Sequence, residues 1–334
     1  MLLKAIGDVP SKLDRESYAR RTPYFKKGKF HNMEDKPLMV KAKSGRARDA
    51  VPDCPVPIVK QRMIPAGEKG KLRTYWLGHS SILLQLGEKN ILIDPVLTKY
   101  SSPFDFVGVK RYSEVPLSPG HVPKIDLLLI SHDHYDHLDY QTLMQIKDRI
   151  GHIVVPLGVE SFLKSFGFEE EKITTLSWWE EVNVSDIRIT ATPGQHFANR
   201  NPLHSNAAWW CGFCLSDGAH TVYYSGDGGY TESFREIGEK FSIDLALLEC
   251  GQYNEAWPNC HMFPEETAKA AWDVKAKWMI PVHWGAFCLC NSSWNDSVKR
   301  VLAKGRELDI QIATPMIGER VEFERMEDYQ KQWW

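Results

Sequence analysis

No stretch of the 334-residue sequence gathers the ~20 consecutive apolar residues that a membrane-spanning helix needs, which excludes helical membrane spans. The opening residues, Met1 to Asp8, hold too short an apolar run for a secretory signal, so a cytoplasmic location is the default expectation. Cysteine is sparse and odd in number. Seven residues (Cys54, Cys211, Cys214, Cys250, Cys260, Cys288 and Cys290), mostly in apolar segments, fit reduced thiols rather than a disulfide framework. Cys211-Gly-Phe-Cys214 has redox-motif spacing, but no second pair completes a zinc site, and the surrounding segment 207–215 reads as a buried strand. No run of Lys and Arg is long enough to suggest a nucleic-acid partner, and no short-period repeat is present.

What is there is the composition of an ordinary globular protein, 43% hydrophobic and 25% charged. A net charge of -2 hides an asymmetry: residues 1–73 carry 18 Lys and Arg against 8 Asp and Glu, and the remainder carries 23 against 35. Residues 1–70 are polar, basic and punctuated by seven prolines, which predicts an extended arm with one short helix, not a domain of its own. Such an arm can meet anionic lipid or lie across its own acidic body; the second is the simpler reading.

Residues 71–334 form the body. Short apolar runs at 73–77, 81–86 and 90–94, split by glycines, predict a β-meander, and the continuous run 125–130 predicts a strand buried on both faces. Helices are expected at 140–150, 158–166, 231–240, 264–277 and 294–304. Strands are expected at 152–155, 186–192, 207–215, 220–225, 244–249, 278–282 and 310–314. A meander followed by alternating strands and helices suits two sheets face to face with helices outside.

Directly after the buried strand comes Ser131-His-Asp-His-Tyr-Asp-His-Leu138. Three histidines and two aspartates within six positions make no sense as core, because each would need its own buried partner. Imidazole with carboxylate suits zinc or another first-row divalent ion. On an extended loop, alternate residues point the same way, so His132 and His134 can share one metal while Asp136 and His137 turn towards a second. Four residues are too few for two metals. Three further strand ends offer candidates: His196 after 186–192, Asp227 in Ser225-Gly-Asp-Gly-Gly, and His283 after 278–282. The glycine pair behind Asp227 permits close backbone approach.

These segments, with Trp76-Leu-Gly-His-Ser-Ser81 and Val282-His-Trp-Gly-Ala286, resemble the metallo-β-lactamase superfamily. More narrowly they are similar to N-acylphosphatidylethanolamine-hydrolysing phospholipase D and its bacterial relatives, a likeness carried most specifically by His261-Met-Phe-Pro-Glu-Glu266 followed by His283-Trp-Gly-Ala-Phe287. The resemblance implies an α/β fold, a four-layer αββα sandwich with two zinc ions at one edge, manganese or iron being compatible with the same donors. It implies that His132, His134 and His196 hold the first ion, that Asp136, His137 and His283 hold the second, and that Asp227 bridges them. It also implies that Tyr135 and His261 contact the phosphate region of the substrate. His79 reads as a hydrogen-bonding support, not a ligand.

The chemistry expected of such a centre is attack on a phosphodiester by a metal-bridging hydroxide, with Asp136 and Asp227 able to take its proton and His261 free to donate to phosphate or leaving group. The substrate expected is a phospholipid or other phosphodiester, with the basic arm making peripheral contact with an anionic membrane at its inner face. A lactonase or nucleotide phosphodiesterase of the same fold is the nearest alternative. A non-catalytic metal-dependent ligand-binding protein is the alternative of another class. The twelve tryptophans, several in pairs, suit core or oligomer contact, so a homo-oligomer stays open.

Overall fold

The computed structural model describes residues 2–42, 45, 47–104 and 106–334. Two sheets dominate it. Their strands, in chain order, are β1 (Leu72–Trp76), β2 (Ile82–Leu86), β3 (Lys89–Ile93), β4 (Ile125–Leu129), β5 (Ile150–Pro156), β6 (Ile173–Leu176), β7 (Glu181–Val184), β8 (Ile187–Thr192), β9 (Gly212–Ser216), β10 (Thr221–Tyr224), β11 (Leu245–Glu249), β12 (Trp278–Val282) and β13 (Arg320–Glu322). The first sheet runs β6-β5-β4-β3-β2-β1-β13 and the second β7-β8-β9-β10-β11-β12.

In each sheet an antiparallel part gives way to a parallel one: β3, β4, β5 and β6 are parallel neighbours, as are β10, β11 and β12. Parallel strands are covered on both faces, and the side chains sort accordingly. Leu245 and Leu247 of β11 join the core between the sheets, while Ala246 and Leu248 pack under the outer helices Ser233–Lys240, Pro264–Asp273 and Asp296–Glu307. Helices Tyr140–Ile146 and Val159–Ser165 cover the first sheet. The result is the four-layer αββα sandwich expected.

Local differences have physical reasons. The segment expected as a strand over 207–215 forms one only from Gly212; before it, Trp209 N–H donates to Leu157 O and Cys211 N–H to Ser131 O, so the chain crosses between the sheets instead of pairing along one. The strand expected over 310–314 is a single bridge, Met279 to Ile312, because Thr314 N–H turns to the carbonyl of Tyr329. Strands β6, β7 and β13 lie at sheet edges, and their polar, half-exposed sequences lack the apolar runs that mark the inner strands. None of the seven cysteines forms a disulfide, and burial pushes Cys211 well up and Cys214 up to about 12, which leaves both inert. No helix among the described residues is long and apolar enough to cross a membrane.

The N-terminal segment holds two helices, Leu2–Ile6 and Lys12–Arg21. The second has no apolar stripe; what starts it is a capping box, with Ser11 Oγ accepting from Asp14 N–H and Asp14 accepting from Ser11 N–H. Beyond it Phe30 is fully buried and stacks on Trp209 at 5.1 Å, which in turn stacks on Trp178 at 4.2 Å. The chain then runs over the loops that follow β8 and β11.

Candidate metal centre

Strand β4 ends at Leu129, and the loop behind it turns at once towards the neighbouring strand ends. His132 Nε2 lies 3.0 Å from His134 Nδ1, and His196 Nε2, delivered by the loop after β8, lies 3.2 Å from the same atom. Asp227, from the loop after β10, brings Oδ2 to 3.0 Å from His137 Nε2, 3.2 Å from His283 Nε2 and 3.9 Å from His132 Nε2. Asp136 Oδ2 is 3.5 Å from His137 Nε2. All seven residues therefore meet at one edge of the sandwich, in two groups that Asp227 joins: His132, His134 and His196 on one side, Asp136, His137 and His283 with His79 beside them on the other.

Outer partners set which nitrogen each ring presents. His137 Nδ1–H donates to Asp94 Oδ2 at 2.7 Å, His283 Nδ1 sits 2.8 Å from Ser80 Oγ, His132 Nδ1 sits 2.9 Å from Ser131 Oγ, and His196 Nδ1–H donates to the Cys260 carbonyl at 3.0 Å. In each the Nε2 atom is left facing the centre, the arrangement by which metal-binding histidines are held. His79 Nε2–H donates to Asp136 Oδ2 at 2.8 Å, a supporting role. His79, Asp94 and His283 all have left-handed backbone at φ 53°, 41° and 68°, a conformation that costs of order 1 kcal/mol or more outside glycine and collects at functional sites.

Electrostatics follow from burial. Burial, reinforced by neighbouring imidazoles, drives His132 and His196 well below the ordinary histidine value; it drives His283 down as well, against the pull of Asp227. These rings are therefore neutral, the state that binds a cation. Burial opposes the charges of Asp136 and Asp227, yet His137 and its neighbours hold both carboxyls well below the usual range. Burial also opposes a charge on His137, but Asp227, Asp136 and Asp94 raise it well above its ordinary value. Buried His137 Nε2, His283 Nε2 and Asp227 Oδ1 make no hydrogen bond. Orphaned buried donors and acceptors are costly, and a divalent cation satisfies all three at once. The donor set fits a metal.

His261 stands at the rim of this cluster, its Nδ1 4.0 Å from Asp227 Oδ2 and 3.7 Å from Glu249 Oε2, its ring stacked on His283 at 5.3 Å. Burial opposes its charge, while Cys260 and Glu249 raise its pKa well above the ordinary value. Tyr135 is placed differently: its hydroxyl donates to the Arg200 carbonyl at 2.9 Å, and its ring lies under the Arg200 guanidinium at 4.3 Å. Sequence reasoning misses Asp94, Ser80, Glu249 and Cys260. Asp94 and Glu249 are lone acids at strand ends, and Ser80 and Cys260, though beside His79 and His261, carry no local sign of the histidine that each meets from far along the chain. Position after an apolar strand, as at Asp94, is the one signal available.

Residues 89–284 match the family model described as "Beta-lactamase superfamily domain". A Mycobacterium tuberculosis protein, described as uncharacterized, is 34% identical over 96% of this chain and 91% of its own length. N-acyl-phosphatidylethanolamine-hydrolyzing phospholipase D 1 of Caenorhabditis elegans is 31% identical over 75% of this chain and 76% of its own. Among solved structures, a metallo hydrolase from the archaeon Ignicoccus hospitalis superposes with a TM-score of 0.56, covering 75% of this chain and 98% of that one at 21% identity.

Proposed function

The chain belongs to the beta-lactamase superfamily, as a metal-dependent hydrolase of metallo-β-lactamase fold, and from that premise we propose that it is a dinuclear zinc phosphodiesterase of the N-acylphosphatidylethanolamine phospholipase D type. The observation that carries this reading is the pair of side-chain groups joined through Asp227, with His137 Nε2, His283 Nε2 and Asp227 Oδ1 buried between them without a hydrogen bond. His132, His134 and His196 would hold one ion, Asp136, His137 and His283 the other, and Asp227 both. Bound divalent ions would supply Lewis acidity towards a phosphoryl oxygen and acidify a water.

The chain's own groups do the rest. The Nδ1 partners keep the histidine rings aimed, and burial keeps His132, His196 and His283 neutral. Asp136 and Asp227 stay ionised and are the proton acceptors closest to the centre. We read His261, whose Nδ1 stands 3.7 Å from Glu249 Oε2 and whose pKa, against burial, Cys260 and Glu249 raise, as the donor to a phosphate oxygen or to the leaving group. The similarity to the phospholipase over three quarters of both chains favours an acylated phosphodiester as substrate. Exposed Met33, Met39 and Val40 next to exposed Lys36 and Lys41 on the basic arm suit peripheral contact with an anionic lipid surface.

The test is turnover by the purified, zinc-loaded chain of N-acylphosphatidylethanolamine, bis(p-nitrophenyl) phosphate and a lactone panel. Hydrolysis of the first two, abolished in Asp227→Ala, is expected. Turnover of the lactones alone refutes the phosphodiester reading.

A further inference from the structure

We propose that Asn32, on the N-terminal arm, is the positioning residue of the His132–His134–His196 group, and that the arm is thereby a working part of the metal centre. The inference rests on the reading of His196 as a ligand. The loop after β8 carries His196 well beyond the last sheet pairing, at Thr192 with Gly212, so no strand partner fixes its backbone. The Asn32 carboxamide does so instead. Asn32 Nδ2 donates to the His196 carbonyl at 2.9 Å, and the His196 N–H donates to Asn32 Oδ1 at 3.0 Å. One side chain thus replaces a ladder neighbour for both polar groups of His196. Asn32 is itself held, because Trp210 Nε1–H, shared with the Gly194 carbonyl at 2.9 Å, donates to the same Oδ1 at 3.0 Å and Phe30, two residues earlier, is buried against Trp209.

The ends of the same loop show that this is a designed seam and not a stray contact. Phe30 N–H donates to the Asn206 carbonyl, and Asn206 in turn accepts from Ala198 N–H through its side chain. Gln195 Nε2 donates to the Glu34 carbonyl. The arm also reaches the second histidine loop. Buried Arg200 donates to the carbonyl of Ile6 on one side and to those of Asp133 and Leu138 on the other, so the N-terminal helix and the His132–His137 loop share one guanidinium. Outer partners of a metal ligand are worth 10–100-fold in metal affinity, and Asn32 acts on the backbone of one ligand only. Its removal therefore loosens one ion and spares the other.

Asn32→Leu keeps the branch at Cγ and the number of side-chain heavy atoms and removes all three hydrogen bonds; Asn32→Asp keeps the two acceptor contacts and loses the donor. Cobalt(II) titration of the full chain, followed by its visible absorption, together with hydrogen–deuterium exchange of the metal-free chain, reads the effect. Asn32→Leu is expected to weaken one of the two cobalt sites by about tenfold or more, leave the other unchanged and speed exchange across residues 193–206 but not across 125–138. Asn32→Asp is expected to fall between Asn32→Leu and the unaltered chain, and it carries the test if the leucine variant does not fold. Unchanged exchange across 193–206 overturns the clamp. Faster exchange with both cobalt sites unaltered overturns its role in metal binding. A wild-type chain that takes up no cobalt refutes the metal reading itself, while the exchange result still decides whether Asn32 holds the loop.

Discussion

Four groups converge on the Asp94 carboxylate: the Ser131 N–H at 2.7 Å, the Ser131 hydroxyl at 2.5 Å, the Tyr224 hydroxyl at 2.6 Å and His137 Nδ1–H at 2.7 Å. The residue is wholly buried and has left-handed backbone, so its placement is maintained against both desolvation and strain. Asp94→Ala leaves several buried donors unsatisfied at about 1–3 kcal/mol each and frees the His137 ring to turn. A lowered urea midpoint and a 10–100-fold loss of zinc affinity against a competing chelator are expected. Wild-type affinity in that variant contradicts the role. The residues that touch the centre were legible in the sequence because their signal is local: four within six positions after an apolar strand, then one each at three strand ends. Asp94, Ser80 and Asn32 were not, because each acts on a histidine 43, 203 or 164 positions away, and nothing in one segment records the other.

Strand ends are the elements that build this site, and their closeness sets a limit on side chains. Gly251, two residues past β11, runs so near the end of β12 that a Cβ there would stand 1.7 Å from the His283 carbonyl. Both partners are backbone at the seam of a parallel pair, Glu249 with Val282, and neither has a flexible end to move. Gly251→Ala is expected to displace His283, cost about 3 kcal/mol or more in urea unfolding and lose the second metal. A variant of unchanged stability with full metal content would show that the seam is looser than it stands. The inner elements were legible because β4, β5, β10, β11 and β12 are apolar runs of strand length. The failures occurred where tertiary contacts overrode pattern. The apolar stretch 207–211 crosses between sheets, and the helix Lys12–Arg21, without an apolar face, is announced only by its capping box.

At the scale of the molecule, the arm and the body are joined through the site, and the sandwich gathers an unusual density of buried imidazole. In the metal-free chain, burial lowers His79, His132, His134, His196 and His283 below their ordinary value of 6.5. A folded pKa below the unfolded one means that the unfolded chain binds protons the folded chain refuses. The stability tied to these five is whole above pH 6.5 and is lost as pH falls below it. His137 and His261 are raised and run the other way: their contribution is whole below pH 6.5 and fades as pH rises through their folded values. Below pH 6.5 the raised pair no longer differs between the folded and unfolded chains, so among the histidines the five set the trend there, against the buried carboxyls of Asp133, Asp139, Glu160 and Glu249, which burial raises. The urea midpoint of the metal-free chain is expected to fall between pH 6.5 and 5.5; a midpoint that rises over that range contradicts this balance.

The course of the arm over the histidine loops was not legible in the sequence, since it depends on single hydrogen bonds such as Asn32 to His196. Asp227 joins the two halves of the proposed metal centre, which sets its stoichiometry at two ions per chain. Metal content per folded chain, measured by elemental analysis after zinc loading and desalting, tests it directly. Two ions in the wild type, falling to one or fewer in His283→Ala and in Asp227→Ala, is the result predicted; fewer than one ion per wild-type chain would contradict it.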